Sequence, residues 1–184
     1  NAPGGELTIT SSWIQDNSLL IPESTLTTIA GGGISNFSNL IVEDSQITGN
    51  KAHIGGGIFM FMPREAEMHL TNVLVDGNQA VLGRDLGDNS ASGGGLFLSQ
   101  GNFWITGSEI TSNIAAQNGG GLVNSTPNDR TGSISNSLFA NNQAHSYGGA
   151  IYNTSSSLLS LTNVTVGKNS AHKGAGISIN SGSV

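Results

Sequence analysis

The amino-acid sequence predicts an all-β fold: a right-handed parallel β-helix of about six coils, formed as one domain over residues 1–184. Six glycine clusters recur along the chain, and each is followed at once by an aliphatic residue. An asparagine lies upstream of every cluster, three residues after an apolar side chain. Within the repeats, apolar residues alternate mostly with Thr or Ser, which is the period of two that strands show. Internal repetition of this kind is typical of a solenoid, and parallel crossovers are generally right-handed.

The glycine clusters are predicted to form one corner of each coil, because Gly permits positive φ and close approach of neighbouring backbones. The clusters are Gly31–Gly33, Gly55–Gly57, Gly93–Gly95, Gly119–Gly121, Gly148–Ala150 and Gly174–Gly176. A phosphate-binding loop would need a following Lys-Ser/Thr pair or a strand–turn–helix context, and the sequence has neither. We therefore interpret the clusters as structural.

The repeated asparagines are predicted to occupy a second corner, where Asn tolerates the left-handed conformation and its amide bonds to the next coil. Stacked amides of this kind stabilise other β structures. The predicted structural ladder consists of Asn17, Asn50, Asn78, Asn113, Asn142 and Asn169.

The composition narrows the possible functions. The chain has no Cys, a net charge of −6 and only 10% charged residues. This composition excludes disulfides and Cys-ligated metal sites, and an acidic chain is unsuited to binding nucleic acid. No apolar run approaches the ~18 residues that a membrane-spanning helix needs. A low-charge chain with few Lys and no Cys suits an extracellular or cell-surface location.

One repeat carries a family resemblance. The Gly-Gly-Ala-Ile tetrad at 148–151, together with Phe139-x-x-Asn142, resembles the repeat of chlamydial polymorphic outer-membrane proteins. Related repeats occur in many large bacterial surface proteins. The resemblance implies a right-handed parallel β-helix of the pectin-lyase-like kind at the cell surface, often in the adhesive passenger segment of an autotransporter.

Core-type residues continue close to both ends of the sequence, at Leu7, Ile177 and Ile179. An uncovered end of a β-helix exposes unpaired backbone groups and invites the addition of another strand. We therefore expect the chain to be a segment of a longer protein, or its open coils to be covered by flanking sequence or another subunit.

A polysaccharide-active enzyme of the β-helix class is one alternative. Such an enzyme needs carboxylates clustered on adjacent coils. The columns six and seven residues before the repeat Asn hold one acid each, Asp44 and Glu43. The sequence therefore predicts no catalytic residue, no metal site and no cofactor.

Charged side chains collect in three predicted loops, at 62–67, 81–92 and 124–131. Loops on a rigid repeat commonly carry variable function, although charges also simply face water. The candidate loop residues are Arg64, Glu65, Glu67, Arg84, Asp85, Asp88, Asp129 and Arg130.

Histidines mark two further positions. Three of them share the place three residues after a ladder asparagine, namely His53, His145 and His172. Two His on adjacent coils would begin a metal site, but no third ligand is evident, and a solvent-facing turn column is the alternative. A weaker outward-facing set consists of Ile41, His69 and Trp104.

An apolar stripe is the most suggestive feature. The residue after the core aliphatic of each glycine strand must face outward, because successive strand residues point to opposite sides. The resulting candidate surface for a partner or a carbohydrate consists of Phe59, Phe97, Val123 and Tyr152. The alternative is that the 60–62 segment or the 81–92 insertion folds over the stripe.

We therefore expect a non-enzymatic bacterial surface or extracellular protein that acts as a rigid stalk, an adhesin or a structural assembly subunit. Its partners would be a protein or a carbohydrate at the cell surface. A scaffold subunit of a larger complex is a further alternative, with the coil ends and the apolar stripe as contacts.

Overall fold

The computed structural model describes residues 5–19, 30–61, 65–82, 91–127, 129–156 and 158–180. In these residues the regular structure consists of twenty-two β-strands, with no helix. All strand pairs are parallel, and each joins one coil to the next. Three sheets have six strands each, which confirms the predicted parallel β-helix of about six coils.

Sheets 1 and 2 follow one another in every coil across a two-residue corner. The strands of sheet 1 are β1 (Glu6–Thr10), β4 (Asn39–Glu43), β8 (Glu67–Thr71), β12 (Asn102–Thr106), β16 (Thr131–Ser135) and β20 (Leu158–Thr162). The strands of sheet 2 are β2 (Trp13–Gln15), β5 (Gln46–Thr48), β9 (Leu74–Asp76), β13 (Glu109–Thr111), β17 (Leu138–Ala140) and β21 (Thr165–Gly167).

Sheets 3 and 4 complete the coil on either side of the glycine cluster. Sheet 3 contains the two-residue strands β6 (Lys51–Ala52), β10 (Gln79–Ala80), β14 (Ile114–Ala115) and β18 (Gln143–Ala144). Sheet 4 contains β3 (Ile34–Asn36), β7 (Ile58–Phe61), β11 (Leu96–Ser99), β15 (Leu122–Asn124), β19 (Ile151–Asn153) and β22 (Ile177–Ile179). The length of the repeat predicts three strands in each coil. In four of the coils sheet 3 adds a short fourth, because its small buried Ala lets the chain run close to the interior while pairing with the next coil.

The interior is a stack of apolar columns that removes hydrocarbon from water along the whole solenoid. In β4, for example, Leu40 and Val42 are fully buried, while Ile41 between them faces outward. The largest fully buried side chains are Phe103 and Phe139, on sheets 1 and 2. Alternation therefore gives each strand one face in the core and one face free for contacts.

The corners use left-handed residues, but not where the sequence suggests. None of the ladder asparagines has positive φ, so that part of the prediction is wrong. The residue before each of them has it instead, as at Asp16 (φ 56°), Ser112 (φ 54°) and Asn141 (φ 57°). Because this preceding residue turns the chain, the asparagine that follows is free to bond with its amide along the stack.

In the first five clusters, the second glycine is required by close approach of the neighbouring coil. A Cβ added to Gly120 would lie 2.5 Å from the carbonyl oxygens of Gln143 and Gly149. Backbone atoms cannot yield to such a contact without a shift of the whole coil. The glycine clusters thus set the distance between coils at the corner before sheet 4.

Candidate contact surfaces

The six repeat asparagines form one continuous row of hydrogen bonds. At its centre, the backbone N–H and the Nδ2 of Asn78 both donate to Asn113 Oδ1, at 2.9 and 3.0 Å. Asn113 Nδ2 donates in turn to the Val75 carbonyl at 2.9 Å and to Asn142 Oδ1 at 3.0 Å. The same amide contact joins Asn17 to Asn50, Asn50 to Asn78, and Asn142 to Asn169. Asparagine amides, of which the central four are buried, therefore tie every coil to its neighbour, which favours a rigid rod.

A second ladder, built from serine, lies at the corner between sheets 1 and 2. Ser108 Oγ accepts the Val73 N–H at 3.1 Å and donates to the Thr106 carbonyl at 3.0 Å. The Ser108 N–H donates to Ser137 Oγ at 3.1 Å. Sequence analysis missed this ladder, although its serines recur five residues before the repeat asparagine, because valine interrupts the column at two coils.

The apolar stripe on sheet 4 has the predicted register. Phe59 lies beside Phe97, Phe97 beside Val123, and Val123 beside Tyr152 in successive strands. The rings of Phe59 and Phe97 stack with their centroids 5.8 Å apart and an interplanar angle of 25°. The alternation rule thus places these side chains correctly on the outer face.

Exposure divides the stripe into two halves. Val123 is 2% exposed and Tyr152 is 9% exposed, so the interpretation of these two as an exposed surface is wrong. Tyr152 is covered by Tyr147, whose ring stacks on it at 5.6 Å, and Lys173 Nζ lies 5.5 Å from the Tyr147 ring centroid. The covering residue therefore comes from the glycine corner of the same coil.

The other half is enlarged by Phe37, which sequence analysis missed, and by Phe61, which belongs to the 60–62 segment that was expected to cover the stripe. The Phe37 ring lies 6.2 Å from that of Phe59 and 6.3 Å from that of Phe61. Phe37 and Phe61 are 40% and 44% exposed. We call the set Phe37, Phe59, Phe61 and Phe97 the phenylalanine patch; it holds four of the six phenylalanines of the chain. The signal for Phe61 was its place two residues after Phe59, on the same face of β7.

The segments expected to cover the stripe are only partly described. Met60 is fully buried in the core between the outward-facing Phe59 and Phe61, so it does not fold over the patch. Met62 and most of the 81–92 insertion, at 83–90, lie outside the described residues.

The candidate loop residues that the structure describes do not form a single site. Glu67 belongs to β8 and not to a loop, because its strand begins directly after the buried Ala66. Glu65 lies exposed in the preceding turn. Asp129 Oδ2 lies 3.3 Å from Arg130 Nη2, in the turn before β16. The remaining candidates lie outside the described residues: Arg64, Arg84, Asp85 and Asp88.

The histidine column is mixed in its surroundings. His145 and His172 are exposed, as expected for a turn column, whereas His53 is fully buried. Burial lowers the pKa of His53 from its usual 6.5, because desolvation disfavours the charged imidazole. Across the described ranges, no three His, Asp or Glu side chains form a group that could hold a metal ion.

The outward face of sheet 1 carries a second aromatic feature. The rings of His69 and Trp104, in β8 and β12, stack at 4.6 Å with an interplanar angle of 8°. His69 Nε2 lies 3.4 Å from Glu67 Oε2 on the same strand. Ile41 of β4 is the register partner of His69. The weaker outward-facing set predicted from the sequence therefore forms one row across three neighbouring strands.

The carboxylates of sheet 1 are dispersed along the stack. Glu43 lies beside Thr10 and Thr71, and Asp44 Oδ1 accepts a hydrogen bond from Asn72 Nδ2 at 2.6 Å. Each acid thus neighbours a neutral polar residue.

In the part of the chain that the structure describes, no helix has the length and apolar character needed to cross a membrane.

Comparison with known families gives one match. Residues 136–154 match the model of the Chlamydia polymorphic membrane protein (Chlamydia_PMP) repeat. This segment includes β17, β18 and β19 and contains Phe139, Asn142 and the tetrad at 148–151. The resemblance predicted from those motifs is therefore confirmed for this repeat. No curated protein and no solved structure matches the chain significantly.

Proposed function

We propose that this chain is a non-catalytic, rigid β-solenoid segment of a bacterial surface protein, which holds an adhesive contact surface away from the cell. The observation that carries the proposal is the exposed phenylalanine patch on a scaffold tied together coil by coil. Clustered aromatic side chains that face water are costly unless a partner covers them. The polymorphic membrane protein repeat at 136–154 supports a location at the outer membrane or cell surface.

The contact that fits the patch best is a protein partner with an apolar surface of its own. Phe37 and Phe61 are the most exposed members, and Phe59 and Phe97 support them from within sheet 4. Rigid aromatic side chains are enriched at protein interfaces, because they bury a large area with few rotatable bonds. A fixed scaffold also lowers the entropy lost on binding.

Location is tested with antibodies raised against the purified chain. We expect them to label intact cells that express the protein natively, and brief protease treatment of intact cells to remove the signal. Labelling that requires permeabilised cells would overturn the surface location.

Adhesion is tested by displaying the chain on a non-adherent cell and counting attachment to epithelial monolayers. We expect the Phe37→Ser/Phe61→Ser variant to lose attachment. The matched control is Trp13→Ser, because Trp13 is 71% exposed but lies on sheet 2, away from the patch. Equal attachment by both variants would contradict a role for the phenylalanine patch.

A further inference from the structure

We propose that the outer face of sheet 1 binds a neutral pyranose sugar against the open side of the Trp104 indole. The indole stands face to face with the His69 imidazole of the preceding coil, 4.6 Å away and nearly parallel. This separation is close to the ~4.8 Å spacing of neighbouring strands. Both ring planes are therefore roughly perpendicular to the long axis of the solenoid.

Among the residues that the structure describes, an aromatic ring stacks on one face of the indole only. The imidazole occupies the side toward β8, and the opposite face is turned toward β16. There the row continues with Ser133 and then Ser160, which are the register partners on the next two strands. A serine side chain is far shorter than an indole, so the surface steps down after Trp104. The step leaves a slot one to two strands wide, roughly 5–10 Å.

The slot is flanked by polar groups without charge. On one side, Asn102 Oδ1 accepts the Thr131 N–H at 3.0 Å, which leaves the Asn102 Nδ2 as a donor. On the other side, Thr106 Oγ1 and Ser135 Oγ lie 3.2 Å apart. Hydroxyl and amide groups thus line both long edges beside the aromatic wall.

Neighbouring charges do not enter the slot. Glu67 is on the far side of the ring stack, where it contacts His69. Asp129, in the turn before β16, is paired with Arg130. Within the described ranges, an ionic ligand would therefore find no unpaired side chain of opposite charge here.

A pyranose matches the two properties of the slot. Its C–H face packs on an aromatic ring at ordinary contact distance, and its rim of hydroxyls both donates and accepts hydrogen bonds. A peptide is disfavoured, because β12 and β16 already have both backbone edges paired and cannot accept a further strand. His69 shows that a flat group of this size fits against the other face of the same indole.

This site is separate from the phenylalanine patch, which lies on sheet 4. The inference therefore does not depend on the proposed function, and the two can fail independently.

The test uses the fluorescence of Trp104. The chain has two tryptophans, so Trp13→Phe leaves Trp104 as the single reporter. Its emission is titrated with neutral methyl pyranosides and their oligosaccharides, with glucuronate and sialic acid as charged comparisons. We expect a saturable change in emission with at least one neutral sugar. The Kd should lie in the millimolar range that is usual for a small uncharged ligand, which corresponds to a binding free energy of about −4 kcal/mol.

Two variants separate a binding role from a structural one. Ser133→His places a second imidazole in the slot and should weaken binding at least about ten-fold. Thr8→His makes the same kind of change in the same row, three strands from Trp104, and should leave binding unchanged. If Ser133→His does not fold, Trp104→Leu serves instead, with binding followed by calorimetry and folding by circular dichroism.

Three results would overturn the inference. The first is the absence of any saturable change with neutral sugars up to about 50 mM, well above a millimolar Kd. The second is binding restricted to the charged sugars. The third is full binding by a folded Ser133→His or Trp104→Leu variant.

Discussion

The phenyl ring of Phe103 fills the space that a side chain on Gly132 would need in the next coil. The two residues are register partners in β12 and β16, and Phe103 is fully buried. A Cβ added to Gly132 would overlap the Phe103 ring and lie 3.1 Å from Leu159 Cδ1 on the other side. One large and one absent side chain therefore share the volume of two ordinary ones, as close packing of the interior requires.

Gly132→Ala should destabilise the solenoid by about 1–3 kcal/mol, because it overpacks a filled core. Phe103→Leu opens space at the same point and should be tolerated with a modest loss. In the Phe103→Leu/Gly132→Ala double variant the two changes should compensate, by about 1 kcal/mol or more relative to their sum. The free energy of unfolding in urea is measured for the parent chain, the two single variants and the double variant.

Gly167→Ala is the control for the effect of the substitution itself. A Cβ at Gly167 meets nothing within 4 Å, and its φ is not positive. This variant should be as stable as the parent chain. Additive effects of the Phe103 and Gly132 changes would show that the two residues do not compete for one space.

The asparagine ladder should contribute more to stability than its exposed polar counterparts. Asn113→Ala removes the acceptor of the Asn78 N–H, one of the two acceptors of Asn78 Nδ2, and the donor to the Val75 carbonyl, all in a buried position. Each unsatisfied buried group costs about 1–3 kcal/mol, so a loss of at least about 3 kcal/mol is expected. The measurement is again the free energy of unfolding in urea.

Asn163→Gly is the matched control for the ladder. Asn163 is exposed, and its Nδ2 donates a hydrogen bond to Asn136 Oδ1 at 2.8 Å. Its φ is 52°, a conformation that Gly adopts freely and Ala does not, so Gly removes the side chain without backbone strain. The substitution should change the free energy of unfolding by about 0.5 kcal/mol or less. A loss as large for Asn163→Gly as for Asn113→Ala would argue against the ladder as a structural element.

Because the sequence repeats, the number of coils and the register of their strands could be predicted from it. A position such as Asn113 meets the same surroundings as Asn78 and Asn142, so its role is repeated in the sequence and its register follows. The alternation of strand residues likewise placed Phe59 and Phe97 on one outer face. Both inferences need only local geometry, which the sequence pattern carries.

The corners were harder to predict, because corner residues do not alternate between inward-facing and outward-facing positions as strand residues do. Tyr147 and Phe37 lie in turns, and no alternation rule states that one covers Tyr152 while the other joins Phe59. The left-handed residue was assigned one position too late for the same reason. The slot beside Trp104 depends on the small size of Ser133 in the next coil, which becomes significant only once the register is known.

The two halves of the apolar stripe should respond differently to the same kind of change. Tyr152→Ser removes a buried ring that stacks on Tyr147, and should cost about 3–5 kcal/mol. Phe61→Ser removes a ring that is 44% exposed, and should cost less than about 1 kcal/mol. Thermal melts of both variants test this, and a large loss at Phe61 would show that the phenylalanine patch is part of the core.

His53 should make the stability of the fold depend on pH. Its folded pKa is lowered below 6.5 by burial, so the unfolded chain takes up the proton first as the pH falls. Stability is therefore unaffected by this group above about pH 6.5, and decreases as the pH drops from there toward the folded pKa. Urea unfolding between about pH 7.5 and pH 5 measures the slope.

The control variants are compared by the slope of the free energy of unfolding against pH. The absolute free energy is not used, because any substitution at a buried position changes it. His53→Gln should flatten the dependence below pH 6.5, because Gln does not titrate. His145→Gln, at the exposed equivalent position three coils away, should retain the slope of the parent chain. Parallel pH profiles for the parent and His53→Gln would mean that His53 is protonated as readily in the folded chain as in the unfolded one.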